Sequence, residues 1–207
     1  MSINKATLRA TFQPFITQAS RHLHDQGLIP GLKNARDNIV NAIADFNTAK
    51  EAILSDLNLS VQGKAAKIQE IKRIATDRID HVKDLSARLA EIEARIFAPS
   101  EKKSDIQQLK DEIRQAEIRR HYWTLEEIQL NPIVMNAIEN GDDETTKALL
   151  SSPVPIFSSD ALQKFRKDFA IKKFGASNPG IMAEYEDIEL VNGLISGMKS
   201  TTHDYLK

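Results

Sequence analysis

The side chains best suited to chemistry are five histidines: His22, His24, His81, His121 and His203. A helical metal site needs ligands three or four residues apart, so that they share a face. His22 and His24 are two apart and the others stand alone, so surface histidines are the expectation. Gly63-Lys64 offers the end of a phosphate loop. The motif, however, needs glycine where Asn58 stands and serine or threonine where Ala65 stands. That pair reads as a helix start with a basic residue. Asp142-Asp143-Glu144 is acidic enough to invite calcium but lacks the alternating ligands, interior glycine and closing glutamate of a calcium loop. Acids at a helix N-terminus, favoured by the macrodipole, explain it. Glu184, Glu186, Asp187 and Glu189 are carboxylates in a setting that predicts neither burial nor a shifted pKa, so no acid–base pair is expected. Asn58-Leu59-Ser60 matches a glycosylation acceptor, which has meaning only in a secreted chain. No catalytic, cofactor-binding or metal-ligating residue is expected, and the chain reads as non-enzymatic.

With no cysteine, thiolate zinc sites, disulfides and cysteine nucleophiles are excluded. Lys and Arg number 28 against 29 Asp and Glu, a net charge of −1, without the basic excess usual in a protein that grips nucleic acid mainly through phosphates. The bases Lys64, Lys67, Lys72, Arg73, Arg78, Lys83, Arg88 and Arg95 are interleaved with Glu70, Asp77, Asp80, Asp84, Glu91 and Glu93. Interleaved signs describe a solvated helix face better than a nucleic-acid stripe. The opening residues, Met1 to Ala6, lack the apolar core of a signal peptide, and no run reaches the length of a membrane span. The expectation is a protein of the cytoplasm or of a virion, neither secreted nor membrane-bound.

The elements that would position these residues are helices. Aromatics make up only 6% of the chain and charged residues 28%, which suits long two-sided helices with thin cores. Residues 1–31 read as an arm, with Leu8, Phe12, Phe15, Ile16, Ala19 and Leu23 on one side of a helix interrupted near Pro14. The arm docks on its own domain or reaches a neighbour. From Leu32 to Leu57, Leu32, Ile39, Phe46 and Ile53 recur every seven residues, with Ala35, Ala42 and Ala49 between them, so a partner helix can approach closely. Ser60 is a candidate N-cap for a central helix running to Phe97 and stopped by Pro99. Its seam is Ile68, Ile71, Ala75, Val82, Leu85, Leu89, Ile92 and Ile96, with Arg78 in a core slot, where it snorkels out or pairs with an acid to fix register.

Ser100 or Ser104 would cap a third helix carrying Ile106, Leu109, Ile113, Ala116 and then Trp123. Residues 32–123 thus read as an antiparallel helical rod, with the first and third helices along the two halves of the central one. Tyr122 and Trp123 stand at its junction with a small helical module, residues 124–207, either as an aromatic plug or as a protein-contact hot spot. In that module Thr124 to Glu127 is a capping-box pattern, and Asn131-Pro132 repeats a start signal. Asn140-Gly141 stops a helix and Asp142 restarts one. Pro153-Val154-Pro155 is a stiff linker, Ser158 or Ser159 caps a helix ended by Gly175, and Asn178-Pro179 opens the last helix. On that helix Gly193 and Gly197 allow a close contact with a neighbour.

The fold expectation is therefore all-α: an elongated antiparallel helical rod with a long central coiled-coil-like helix and a small C-terminal helical module. The charged central coil resembles, in general look, that of small helical proteins encoded among bacteriophage head and tail genes. So does the stretch Ala137-Ile138-Glu139-Asn140-Gly141-Asp142, followed by Ala148-Leu149-Leu150 and a proline pair. The resemblance implies a minor structural or assembly protein of a phage-like particle, an oligomer or part of a large complex. A cytosolic coiled-coil adaptor or chaperone is the second possibility, and a nucleic-acid-associated protein using the central helix the third. The partner expected is protein, through Phe12, Phe15, Arg78, Tyr122 and Trp123; no cofactor is expected.

Overall fold

The computed structural model describes residues 4–98, 104–154 and 156–206. Among them the fold is all-helical, without a strand. Pro99, Ser100 and Pro155, to which the sequence assigns a stop, a cap and a linker, lie outside the described residues. The chain forms two compact units, one from residues 1–90 with 183–207 and one from residues 91–182.

The first unit is built from α1 (Lys5–His22), α2 (Ile29–Ser55), α3 (Val61–Asp80) and most of α9 (Pro179–Thr201). The arm docks at home: Leu8, Phe12, Ile16 and Ala19 share one core with Leu32, Ile39, Ile43 and Phe46 of α2 and with Val191, Ile195 and Met198 of α9. Each large side chain so buried contributes roughly 1.5–3 kcal/mol of transfer free energy. Helix α1 runs through Pro14 without interruption. The alanines Ala35 and Ala42 are buried beside the larger seam residues, and α3 packs along α2 as the short turn between them requires. Gly197 gives the close contact its spacing suggests, since a Cβ there would lie 2.8 Å from Cε1 of Phe15.

The central helix is not continuous. Ser60 caps it as expected, accepting the Gly63 N–H at 3.1 Å, but α3 stops at Asp80 and a separate α4 runs Ser86–Ile96. Two polar contacts make the break. Asp84 accepts the Ser86 N–H at 3.1 Å, and the Ser86 hydroxyl first and this N–H second hold its carboxyl below the usual range; the Asn192 side chain of α9 accepts the Leu85 N–H at 2.7 Å. Leu85 has thereby exchanged a helical partner for a side chain. The seam shifts with it: Ala75, Ile79 and Val82 are buried, and Ile79 takes the slot the heptad assigned to Arg78.

The second unit contains α5 (Asp105–Tyr122), α6 (Glu127–Asn140), α7 (Asp143–Leu150) and α8 (Ser159–Ser177). Leu130, Val134 and Ile138 of α6 pack with Leu149 and Leu150 of α7 and with Phe157 and Phe165, whose rings meet edge-on at 5.4 Å. Helix α6 starts later than Thr124 implies: Glu126 and Gln129 form the reciprocal capping box. Pro132 then lies inside α6, not at a new start. Gly141 ends α6 with φ 71°, and Asp142 caps α7 by accepting the Thr145 N–H at 3.0 Å. Helix α8 passes Gly175 and ends at Ser177.

Candidate protein-contact site

Helix α5 turns its apolar stripe away from the unit to which it belongs. Ile106, Leu109 and Ile113 are 71%, 59% and 56% exposed, and no residue of the helix is buried. Ser104 caps it, accepting the Gln107 N–H, and Asp105 in the first turn with Arg119, Arg120 and His121 in the last complement its dipole. The helix is held to α7 by polar and half-buried residues. Gln115 accepts the Ser151 hydroxyl at 2.9 Å, Arg119 donates to the Ala148 carbonyl at 3.2 Å, and Arg114 pairs with Glu144 at 2.7 Å. Ile118 and Tyr122 are half-buried, and Tyr122 packs against the core of the unit. At 100° per residue Gln115, Ile118 and Tyr122 lie about half a turn from Ile106, Leu109 and Ile113. The inward side is mixed, Gln115 with Ile118 and Tyr122, while the row Ile106, Leu109 and Ile113 faces out.

Continuing the stripe in heptad steps leads through Ala116 and Arg120 to Trp123, all exposed. Trp123, 73% exposed, is no plug; it lines the mouth of a cavity of about 160 Å³ with Tyr122, Leu130, Leu149 and Val154. Arg119 donates to Ala148 and Arg166 of α8 donates to the Leu150 carbonyl at 3.0 Å, so two guanidiniums cap the end of α7 beneath the stripe. The helix presenting the stripe is thus fixed by bonds on its other face.

The remaining predicted contact residues lie in the first unit. Phe12 is fully buried and offers no surface; Phe15 is half-buried against Gly197. Arg78 is exposed and has an acidic partner, Asp45 of α2, at 2.9 Å. Arg73 pairs with Asp77 and Arg88 with Glu184, so these bases of α3 and α4 are matched by acids. The turn between α2 and α3 exposes Leu54, Leu57 and Val61, a cluster at a tip and not a seam.

A buried carboxylate, the only one among the described residues, was not foreseen from the sequence. Asp187 accepts the backbone N–H groups of His24 at 2.8 Å and Asp25 at 2.7 Å, and its Oδ1 lies 3.0 Å from Nδ1 of His24. Burial pushes this carboxyl up, but the donors outweigh it and hold the pKa below the ordinary 3.8. Its role is to tie the end of α1 to α9. A cleft of about 750 Å³ lies between α2, the 81–85 break and α9, with an apolar floor and Asn34, Asn38, Arg78, His81 and Lys83 among its lining residues. It contains no paired acid and base within bonding distance. All five histidines are exposed, and among the described residues no cluster of three or more His, Asp and Glu could hold a metal ion. Among them too, no helix is long and apolar enough to cross a membrane. No family model, curated protein or solved structure matches this chain.

Proposed function

We propose that this protein is a non-enzymatic structural or assembly protein, a minor component of a phage-like particle or a similar large assembly, acting through helix-on-helix contact. Helix α5 is the contact face and supplies the coiled-coil seam. The observation that carries this reading is the exposure of Ile106, Leu109 and Ile113 on a helix whose opposite face is bonded to its own unit. Three large apolar side chains in a heptad row cost free energy while they face water, and a partner helix removes that cost. Pairing of Arg73, Arg78 and Arg88 with acids supports protein as the partner over nucleic acid.

The test uses the full chain in the cells that make it, at its own level of expression. Wild-type protein should elute in an assembly well above the mass of one chain. The L109R/I113R variant changes exposed positions only, keeps its far-UV circular dichroism and should elute as a single chain. Identical elution of the two overturns the reading.

A further inference from the structure

We propose that α5 pairs with α5 of a second copy, as an antiparallel two-helix coiled coil in which Ile113 of each chain packs on Ala116 of the other. This rests on the reading of α5 as the contact face and names its occupant. In heptad terms Ile106, Ile113 and Arg120 are a positions, and Leu109, Ala116 and Trp123 are d positions. The flanking e positions are Lys110 and Glu117, and the g positions are Asp105 in the first turn, then Glu112 and Arg119.

Together these charges select the geometry. A parallel pair sets each g residue against the e residue five places on, which brings Glu112 onto Glu117 and so cancels the favourable Asp105 to Lys110 contact. An antiparallel pair sets g against g and e against e. In the register that places Leu109 opposite Ile113, Lys110 meets its own copy and so does Glu112, which offsets the contact of Asp105 with Arg119. In the register that places Ile113 opposite Ala116, Glu112 meets Arg119 and Lys110 meets Glu117. The two-fold axis repeats each of those contacts, so no like-signed pair remains among these flanking residues. The same register lays Ile106 against Trp123 and Leu109 beneath the aliphatic stem of Arg120, whose guanidinium stays in solvent. The overlap runs over residues 107–122 of α5, roughly 24 Å. A free helix this short pairs weakly, but α5 is already folded against α7, so association does not carry the cost of nucleating it. Arg119 gives one N–H to the Ala148 carbonyl and keeps others for Glu112 of the second copy.

Lys110 and Glu117 are exposed, so their substitution leaves the fold intact, which circular dichroism verifies. Sedimentation equilibrium on the full chain, over a wide concentration range, should show a wild-type dimer. K110E and E117K each set like charges against one another twice, and each should raise the dimer dissociation constant about tenfold. The K110E/E117K swap inverts both partners and should restore wild-type affinity. A wild-type monomer at every concentration overturns the pairing, while the cellular elution test still decides the reading beneath it. Tighter pairing by E117K overturns the antiparallel arrangement, because only a parallel pair places residue 117 against Glu112. Failure of the double swap to restore affinity overturns the register.

Discussion

Helices α1 and α5 are both 18 residues long and both carry apolar residues at helical spacing, yet one is submerged and the other is dry on the wrong side. In α1, Leu8, Phe12, Ile16 and Ala19 are buried; in α5, Ile106, Leu109 and Ile113 stand in water. The stripe itself does not make the difference. Helix α1 is met by two partners shaped for it, α2 with its row of large and small residues and α9 with Gly197 leaving room for Phe15. Helix α5 is met by a single short helix, α7, which holds its opposite face through bonds to Gln115 and Arg119. An amphipathic pattern says which residues seek cover. Whether cover comes from the same chain depends on what the neighbours offer.

The sharpest way to break this contrast is to truncate one residue from each stripe in the full chain. Phe12→Ala should cost about 3–5 kcal/mol, because it empties a space that surrounding helices fill only in part. Urea unfolding followed by circular dichroism would read that loss. Ile113→Ala, measured at a concentration where the protein is monomeric, should stay within about 0.5 kcal/mol of wild type. Equal losses at the two sites would mean that α5 is covered within its own chain.

Helix α1 is also tied down by charge, which α5 lacks on its exposed side. Asp187→Asn should cost about 2 kcal/mol near neutral pH, since one of its two accepting oxygens becomes a donor facing an N–H of residue 24 or 25. The sign of the pH dependence follows from the lowered pKa of Asp187. Its contribution is fully present above the unfolded value of 3.8 and is lost as the pH falls through the lower folded value. The gap between wild type and D187N should therefore close as the pH drops below 3.8. A gap that stays constant through that range would mean the carboxylate charge contributes nothing. A smaller effect belongs to the unit carrying α5: Gly141→Ala places a Cβ at φ 71° and should cost about 1 kcal/mol in the same unfolding assay.

Local signals in the sequence held at some ends and failed at others: α1 runs through Pro14, α6 starts at Glu127 with Pro132 inside it, and α8 passes Gly175. Ser60, Asp142 and Gly141 act as their types predict, because a cap or a left-handed turn involves residues within four positions. The heptad of α2 identified its buried face correctly, and the apolar stripe of α5 was visible in the spacing of Ile106, Leu109 and Ile113. The break after Asp80 was not legible, because the group that takes the Leu85 N–H is 107 residues further on. Burial of Asp187 was hidden for the same reason, its donors lying 162 and 163 residues earlier. The return of α9 to the core of α1 and α2 is an event of tertiary packing that no window of sequence contains. The outward orientation of α5 was equally hidden, since it is set by its bonds to Ala148 and Ser151.

The weakest expected effect tests what Arg78 contributes to the first unit. Its ion pair with Asp45 joins α3 to α2 at 2.9 Å, but the two side chains are 50% and 54% exposed, so water and salt screen the attraction. Arg78→Ala should cost under about 1 kcal/mol, and less at high salt than at low. The coupling is best isolated by a double-mutant cycle with Asp45→Ala, each variant unfolded in urea at two ionic strengths. If burial alone sets the alignment of these helices, the coupling is small and fades with salt. A salt-independent coupling above about 2 kcal/mol would instead assign to Arg78 the choice of register between α2 and α3. In that case the contrast with α5 would rest on a specific ion pair as much as on apolar cover.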